Sequence, residues 1–382
     1  FKTHQTHHCG VERLRPSERK IIMEQTFIRM REQILHATHR HIPLIIKGGG
    51  TKDFYGEQAR PENADVLDAR AHSGIVAYDP AELVITARAG TPLAEIEAAL
   101  AASRQVLSFE PPHFGNGATI GGAVAAGLAG PRRAHAGAVK DFVLGARLLN
   151  GRGEHLHFGG TVVKNVAGYD VARLLAGSLG TLGVITELSL KVLPQPFAEA
   201  TLQFESSAAE AVPRLNALMG QPFPLTGSYW AEGVLSLRLC GTEAGVHTAI
   251  ELLGGARMDE TESRAWWQTV REQTRPEFAL NEGERLWRIS VPDTAPVADS
   301  DGLFAIEWGG GLRRYRTDAS AREMRALTQN AGGHATLFRG AAAADETVFT
   351  ALPEAVLAIN QRLKQSFDPS GIFNPGRLYP KL

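Results

Sequence analysis

The sequence is poor in cysteine: Cys9 and Cys240 are the only two in 382 residues. That excludes a disulfide framework, and it excludes an iron–sulfur cluster held by four cysteines of this chain. Electrons leaving through such a cluster would have to enter another subunit. An excess of charge of one sign is also missing, since 40 Lys and Arg stand against 41 Asp and Glu, for a formal net charge of -1. No overall field therefore recruits nucleic acid or an anionic membrane. Nor is there an uninterrupted apolar run of the length a membrane span needs, or the apolar core of a signal peptide near the start. The expected location is cytoplasmic, with any membrane contact made through a larger complex. Two nucleotide fingerprints are absent as well. A Rossmann turn needs G-x-G-x-x-G between strand and helix, and an NTPase loop needs Gly-Lys-Ser/Thr; "KGGGTK" supplies neither.

What is plentiful is glycine, 40 residues, of which 16 fall between Gly115 and Gly183. Each glycine sacrifices packing area and backbone entropy, so such a density marks a region where bare backbone is needed. Three clusters stand out: "GGGT" at 48–51, "ATIGGAVAAG" at 118–127 and "GSLGTLGVIT" at 177–186. Sharp corners in a β-rich domain account for one such cluster. Two backbone nests facing one pyrophosphate, with small residues beside a flat ring, account for all three, and a large dinucleotide such as FAD has that shape.

The length favours two domains. Residues 1–22 lack a periodic apolar face and are expected to be a disordered leader or an upstream extension, His4, His7, His8 and Cys9 included. An amphipathic helix is expected over 24–39, then a buried strand in "PLIIKGGG" and short strands at 66–70, 74–80 and 83–90. Thr91 and Pro92 read as the N-cap and first residue of the next helix. "NG" at Asn150 and Gly151 reads as a hairpin turn between two strands. Beyond Pro196 strands and helices alternate in a second domain, where Trp266 and Trp267 read as part of a packed amphipathic helix. The aromatics of the tail, Phe367, Phe373 and Tyr379, suggest that it docks.

The ordered set "IIKGGGTK", "DPAELVITARAGTPLAEIEAALA", "PPHFGNGATIGGAVAAGLAGPRR", "VKDFVLGARLLNGRGE" and "KNVAGYDVARLLAGSLGTLGVITELSLKVLP" resembles the FAD-binding domain of the vanillyl-alcohol oxidase / p-cresol methylhydroxylase (PCMH) family. Within it, the stretch from Glu110 to Asp170 is similar to glycolate oxidase FAD-binding subunits, and "FDPSGIFNPGRLYP" to the end of FAD-linked 2-hydroxyacid dehydrogenases. The resemblance is close over 23–196, clear again over 366–382 and weak between. It implies an α+β fold: a PCMH-type FAD-binding domain of two α+β subdomains (23–196), a smaller α/β sandwich cap domain (197–345), and a C-terminal helix and tail (346–382) returning to the flavin. Matched position by position, it implies that Gly48, Gly49, Gly50 and Thr51 hold the pyrophosphate, with Thr119, Gly121, Gly122 and Ala125 opposite, near the ribityl chain. Gly168, Tyr169, Gly183, Val184 and Ile185 match positions lining adenine or isoalloxazine, and Asn374 matches a tail residue near the ring.

Departures from the family pattern bear on chemistry. Members that attach FAD covalently through the first loop carry a histidine there; Thr51 and Lys52 stand here, so the FAD is expected to be non-covalent. Leu179 replaces the acidic residue of "GSEGTLG", and the metal motif "HxGDGNxH" of the related catalytic subunits is absent, leaving His334 alone and no metal expected. Oxidising a 2-hydroxy acid needs a cation for the carboxylate, a base for the hydroxyl proton and a hydride acceptor. Arg132, Arg133, Arg314, Arg339 and Arg377 are available cations and His113 and Tyr169 available bases, but no residue is assigned a catalytic role. The expected function is a subunit oxidising glycolate to glyoxylate through FAD, partnered by a second FAD-binding subunit and an iron–sulfur subunit that leads to quinone. A non-catalytic FAD-bearing relay or assembly subunit is the alternative, and a stand-alone NAD(P)H-linked reductase a third.

Overall fold

The computed structural model describes residues 16–58, 61–161, 170–298, 301–343 and 345–382, with side chains from Glu24 onward. Helix α1 (Pro16–Arg40) reaches back into the segment expected to be a leader. It buries Met30, Ile34 and Ala37, spaced at i, i+4 and i+7 so that they share one face. Strand β1 (Leu44–Lys47) pairs in parallel with β2 (Asp65–Asp68), and the glycine triplet leaves the end of β1. Then follow β3 (Ile75–Asp79), β4 (Val84–Arg88), α2 (Leu93–Ala102), β5 (Gln105–Val106), α3 (Ile120–Ala126), α4 (Arg133–Ala136), β6 (Val143–Leu149), β7 (His155–Gly159), α5 (Val171–Leu174), β8 (Val184–Lys191) and β9 (Leu193–Pro194). Five of these strands form an antiparallel sheet in the order β3-β4-β8-β6-β7. Its apolar side packs on α2 and α3 through Leu93, Ile96, Leu100, Ile120 and Val124.

Two local expectations are corrected. Thr91 is not the N-cap of α2, which starts after Pro92 with no side-chain cap. Its hydroxyl instead accepts from the N–H of Gly74 and donates to the carbonyl of Arg88, fastening β4 to the start of β3. The β6–β7 connection is longer than a two-residue turn. Asn150 Oδ1 accepts from the N–H groups of Arg152 and Glu154, and Gly153 takes the positive φ of +69°.

The second region contains β10 (Ala198–Glu205), α6 (Ala208–Met219), β11 (Leu225–Ala231), β12 (Val234–Gly241), α7 (Glu243–Leu253), β13 (Ala256–Arg257), α8 (Glu260–Glu272), β14 (Arg285–Ser290), β15 (Leu303–Glu307), β16 (Leu312–Thr317), α9 (Ala321–Gln329) and β17 (His334–Arg339). Its eight strands form one antiparallel sheet in the order β13-β10-β12-β11-β15-β16-β14-β17. That order is a repeat: within each group of four the fourth strand flanks the first, and the two second strands, β11 and β15, join the halves. The first half has the complete β-α-β-β-α-β pattern; in the second no helix is described between β14 and β15.

Strand alternation divides the side chains of this sheet. Leu235, Leu237 and Leu239 of β12 pack under α6 and α7, while Trp287, Ile289, Tyr315 and Leu337 pack under α9. The intervening positions, Tyr229, Leu286 and Phe338 among them, face Phe54, Tyr55, Phe114, Leu128 and Leu179 of the first region and Trp266 and Trp267 of α8. Trp267 is buried with its indole N–H on the Thr201 hydroxyl at 2.8 Å, a packing role.

Helix α10 (Glu354–Phe367) ends at a buried ion pair, Lys364 with Asp368 at 2.7 Å. The Lys364 ammonium also donates to the carbonyls of Thr181 and Phe373, and Asp368 accepts from the N–H groups of Ile372 and Phe373. Every polar atom of a costly buried pair is thus used to fold the tail back. The tail then lies beside β1, exchanging bonds with Leu44 through the Ile372 carbonyl and the Asn374 N–H. Among the described residues no helix is long and apolar enough to cross a membrane.

Candidate functional site

Two loops meet at the end of β1. A Cβ placed on Gly49 would land on the carbonyl oxygen of Gly117, so no other residue fits without moving the loop. Gly50 follows with φ +73°. From the facing side Thr119 caps α3, its Oγ1 accepting from the Gly122 N–H at 3.2 Å. The floor is set by Gly121, where a Cβ would meet the Ala89 side chain at 2.6 Å; α3 therefore lies directly on the end of β4.

The result is an open groove lined by Gly48, Gly49, Gly50, Thr51, Thr119, Gly122, Ala125 and Asn374. A continuation shares Gly48, Thr119, Gly122, Ala125 and Asn374 and adds Gly121, Gly183 and Ile185. Eleven residues expected at one site from the resemblance are thereby neighbours, although they span 326 positions from Gly48 to Asn374. Val184 is the exception: alternation along β8 turns its side chain into the core with Met30, Ile34 and Leu67. Gly168 and Tyr169 lie outside the described residues.

Asn374 joins the ends of the groove. Its Oδ1 accepts from the Ile46 N–H at 2.9 Å and its Nδ2 donates to the Leu179 carbonyl at 2.7 Å. Leu179, in place of the family's acidic residue, has a left-handed backbone with φ +50° and lines the groove. Charge is provided by residues not expected there. Lys47 is neutralised by Asp53 at 3.1 Å. Lys52 has no ion pair among the described residues; its ammonium donates to Thr51 Oγ1 and the His113 carbonyl beneath the Phe114 ring, and burial pulls it down to about 8. Arg377 binds the carbonyls of Asp53 and Tyr55 at 2.7 Å each, clamping the loop from the tail.

The other expected cations are dispersed. Arg132 and Arg238 surround Glu110 at 3.5 and 2.9 Å. Arg133 stacks on Trp308, Arg314 pairs with Glu307, and Arg339 lies over Phe54. His113 has its Nε2 3.1 Å from Glu97. His334 is exposed at the start of β17.

A groove with bare backbone along one wall, an ammonium without an ion pair among the described residues beside it and a floor of glycine and alanine fits an elongated ligand carrying an anion and a flat ring. The comparisons agree. The family model described as an FAD binding domain matches residues 30–159. The glycolate oxidase subunit GlcE of Escherichia coli (strain K12) is 48% identical over 351 residues, covering 92% of this chain and 97% of that protein. The chain belongs to the GlcE family. FAD is its cofactor, and its wider relatives are FAD-linked oxidoreductases. The glycolate oxidase subunit GlcD of Bacillus subtilis (strain 168) is 32% identical over 165 residues, 43% of this chain and 34% of that one. Among solved structures, an alkyldihydroxyacetonephosphate synthase aligns over 91% of this chain and 74% of its own, with a TM-score of 0.64 at 16% identity, a likeness of fold. The GlcE likeness includes the second region; the GlcD likeness covers less than half of the chain.

Proposed function

We propose that this chain is an FAD-bearing subunit of a glycolate oxidase complex and that it oxidises glycolate to glyoxylate. The near full-length likeness to GlcE carries the reading, and the groove supports it. FAD would rest with its pyrophosphate on the backbone of Gly48, Gly49, Gly50 and Thr51 facing Thr119, Gly121, Gly122 and Ala125. Gly183, Ile185 and Asn374 would border the remainder, with Val184 contributing backbone alone and Gly168 and Tyr169 assigned by resemblance. Glycolate loses two electrons and two protons on becoming glyoxylate, and bound FAD supplies the two-electron acceptor. The chain's own part is to seat the anion, to exclude water at the junction of the two regions, and to set the charge around the groove.

The division into 23–196, 197–345 and 346–382 belongs to the same reading and is supported by the separate five-stranded and eight-stranded sheets. So do the partners, a second FAD-binding subunit and an iron–sulfur subunit passing electrons toward quinone; two cysteines in the whole chain fit that division of labour. The absence of "HxGDGNxH" from the sequence favours a second reading, a relay or assembly subunit whose substrate chemistry lies on a flavoprotein partner. An anaerobic visible spectrum of the FAD-loaded chain, before and after glycolate, separates the two. Bleaching near the flavin maximum is the expected outcome. Flavin that stays oxidised until partner subunits are added would transfer the oxidation to the partner.

A further inference from the structure

One peptide group of the first region is held by charge at both ends. The carbonyl of His113 accepts from the Lys52 ammonium at 3.2 Å, and the N–H of the same peptide, that of Phe114, donates to Oε2 of Glu272 at 2.8 Å. This oxygen also accepts from the His113 N–H at 3.0 Å. Lys52 belongs to the glycine loop of the groove, whereas Glu272 closes α8 in the second region. Carboxylate, peptide and ammonium thus form a line across the junction. A peptide polarised by a carboxylate on its N–H is a stronger acceptor at its carbonyl. The same loop presents Gly115 to Thr51 and the Gly117 carbonyl to Gly49, so its placement is also that of the groove wall.

The last turn of a helix disfavours a carboxylate, and Glu272, mostly withdrawn from solvent, is turned off its own helix onto another segment. Arg271 balances it at 2.8 Å and is itself shared with Glu97 of α2 at 3.2 Å. The His113 ring is directed to Glu97 as well, at 3.1 Å. Around Lys52 the other charged groups are cations or are already paired: Arg339 shares the Phe114 ring, Arg377 of the tail lies on the loop carbonyls, and Asp53 faces Lys47. Glu272 is the carboxylate whose field reaches Lys52, opposing the burial that lowers this ammonium to about 8.

We propose that Glu272 is a positioning residue for the cofactor: through the His113–Phe114 peptide it holds the Lys52 ammonium, charged, beside the FAD pyrophosphate, so that the second region completes the anion site of the first. The inference rests on the placement of the pyrophosphate at Gly48, Gly49, Gly50 and Thr51. Its consequence is that FAD affinity depends on the seating of α8, although α8 supplies no residue to the groove.

The test is isothermal titration calorimetry of the cofactor-free chain with FAD, from pH 7 to 9, in buffers of different ionisation enthalpy. Glu272→Gln keeps an oxygen for the two N–H groups and removes the charge. With Lys52 titrating at about 8, FAD binding at pH 7.5 should take up about 0.25 proton in the wild type. A fall of about one unit in Glu272→Gln raises that uptake to about 0.75 and moves the loss of affinity about one pH unit lower. In a Lys52→Met background the same substitution should change neither quantity. Proton uptake unchanged by Glu272→Gln overturns the proposal, whether or not affinity falls, since the residue then at most braces the loop. A shift in the pH profile that persists in Lys52→Met overturns it too. Wild-type binding without proton uptake removes Lys52 from the pyrophosphate and leaves FAD in the groove, whereas a wild-type chain that binds no FAD overturns the groove itself. If Glu272→Gln fails to fold, the cofactor-free wild type decides by NMR. The Phe114 amide nitrogen should titrate together with the Lys52 side chain, and an amide blind to that titration overturns the relay.

Discussion

The groove on the first region and the cavity under the eight-stranded sheet are built from opposite materials. The groove is made of backbone: Gly49 against Gly117, Gly121 against Ala89, and a tail asparagine bonded to two peptide groups. The cavity, a small one walled by Phe114 and Phe338, is made of side chains: Gln273 at the end of α8 and the charged Arg288, Glu307 and Arg314 on three strands. Backbone presents fixed N–H dipoles at close range and suits a cofactor that stays. Arginine, glutamate and glutamine present charge and hydrogen bonds at the end of adjustable arms, which suits the contact between the two regions. A substitution in one site should therefore spare the other.

The largest expected effect separates them. Gly49→Ala puts a methyl on the Gly117 carbonyl, and overpacking of this kind costs about 1–3 kcal/mol. Up to roughly 100-fold in FAD affinity follows if the loops part, and the protein should purify nearly colourless, whereas Arg288→Gln should purify yellow. FAD content per chain, read after denaturation, checks both. The same assay tests attachment: all of the flavin should separate from the denatured polypeptide. Colour retained on Gly49→Ala would show that backbone contact is not what holds the cofactor.

A smaller effect is expected from the tail. Asn374→Ala leaves the Ile46 N–H and the Leu179 carbonyl without their partners at a position 7% exposed. Unpaired buried groups cost about 1–3 kcal/mol, so FAD affinity should drop about tenfold and Tm by a few degrees. Fluorescence titration with FAD and a thermal melt measure the two losses. If Tm falls while FAD affinity holds, Asn374 is a structural clasp and not part of the groove.

The two sites also differ in how far they could be foreseen. Glycine spacing exposes the groove because a bare backbone is written directly into residue type, and the order of three clusters along the chain survives folding. Val184 was misplaced because the motif fixes the strand but not which neighbour of Ile185 turns inward. Arg377 was recognisable as a cation, but its clamp on the Asp53 and Tyr55 carbonyls depends on a tail arriving from more than 300 residues away. The cavity was hidden for a different reason. "LWRIS" alternates, and alternation normally means one face in water. Here the charged face is covered by the first region, a tertiary fact that no local pattern contains. Arg314 was recognisable as a cation, but Arg288 and Gln273 become its neighbours only when β14, β16 and α8 converge.

Lys52 sharpens the comparison with the smallest and most specific signal, because it is the spare side-chain charge in a site otherwise made of backbone. In the free chain burial lowers its ammonium from 10.5 to about 8. The unfolded chain keeps that proton up to 10.5, so the folded state binds fewer protons between about 8 and 10.5, and the cofactor-free chain should gain stability as pH rises through that window. A pyrophosphate beside Lys52 reverses the preference by holding the proton on. FAD binding should then take up a proton, and affinity should fall as pH rises from 7 to 9, with a slope approaching about tenfold per pH unit at most. Lys52→Met should flatten the profile and bind FAD at neutral pH about as weakly as the wild type does at pH 9. A wild-type profile that is already flat would mean that the ammonium does not face the phosphates, leaving the backbone N–H groups of the glycine loop to hold the anion.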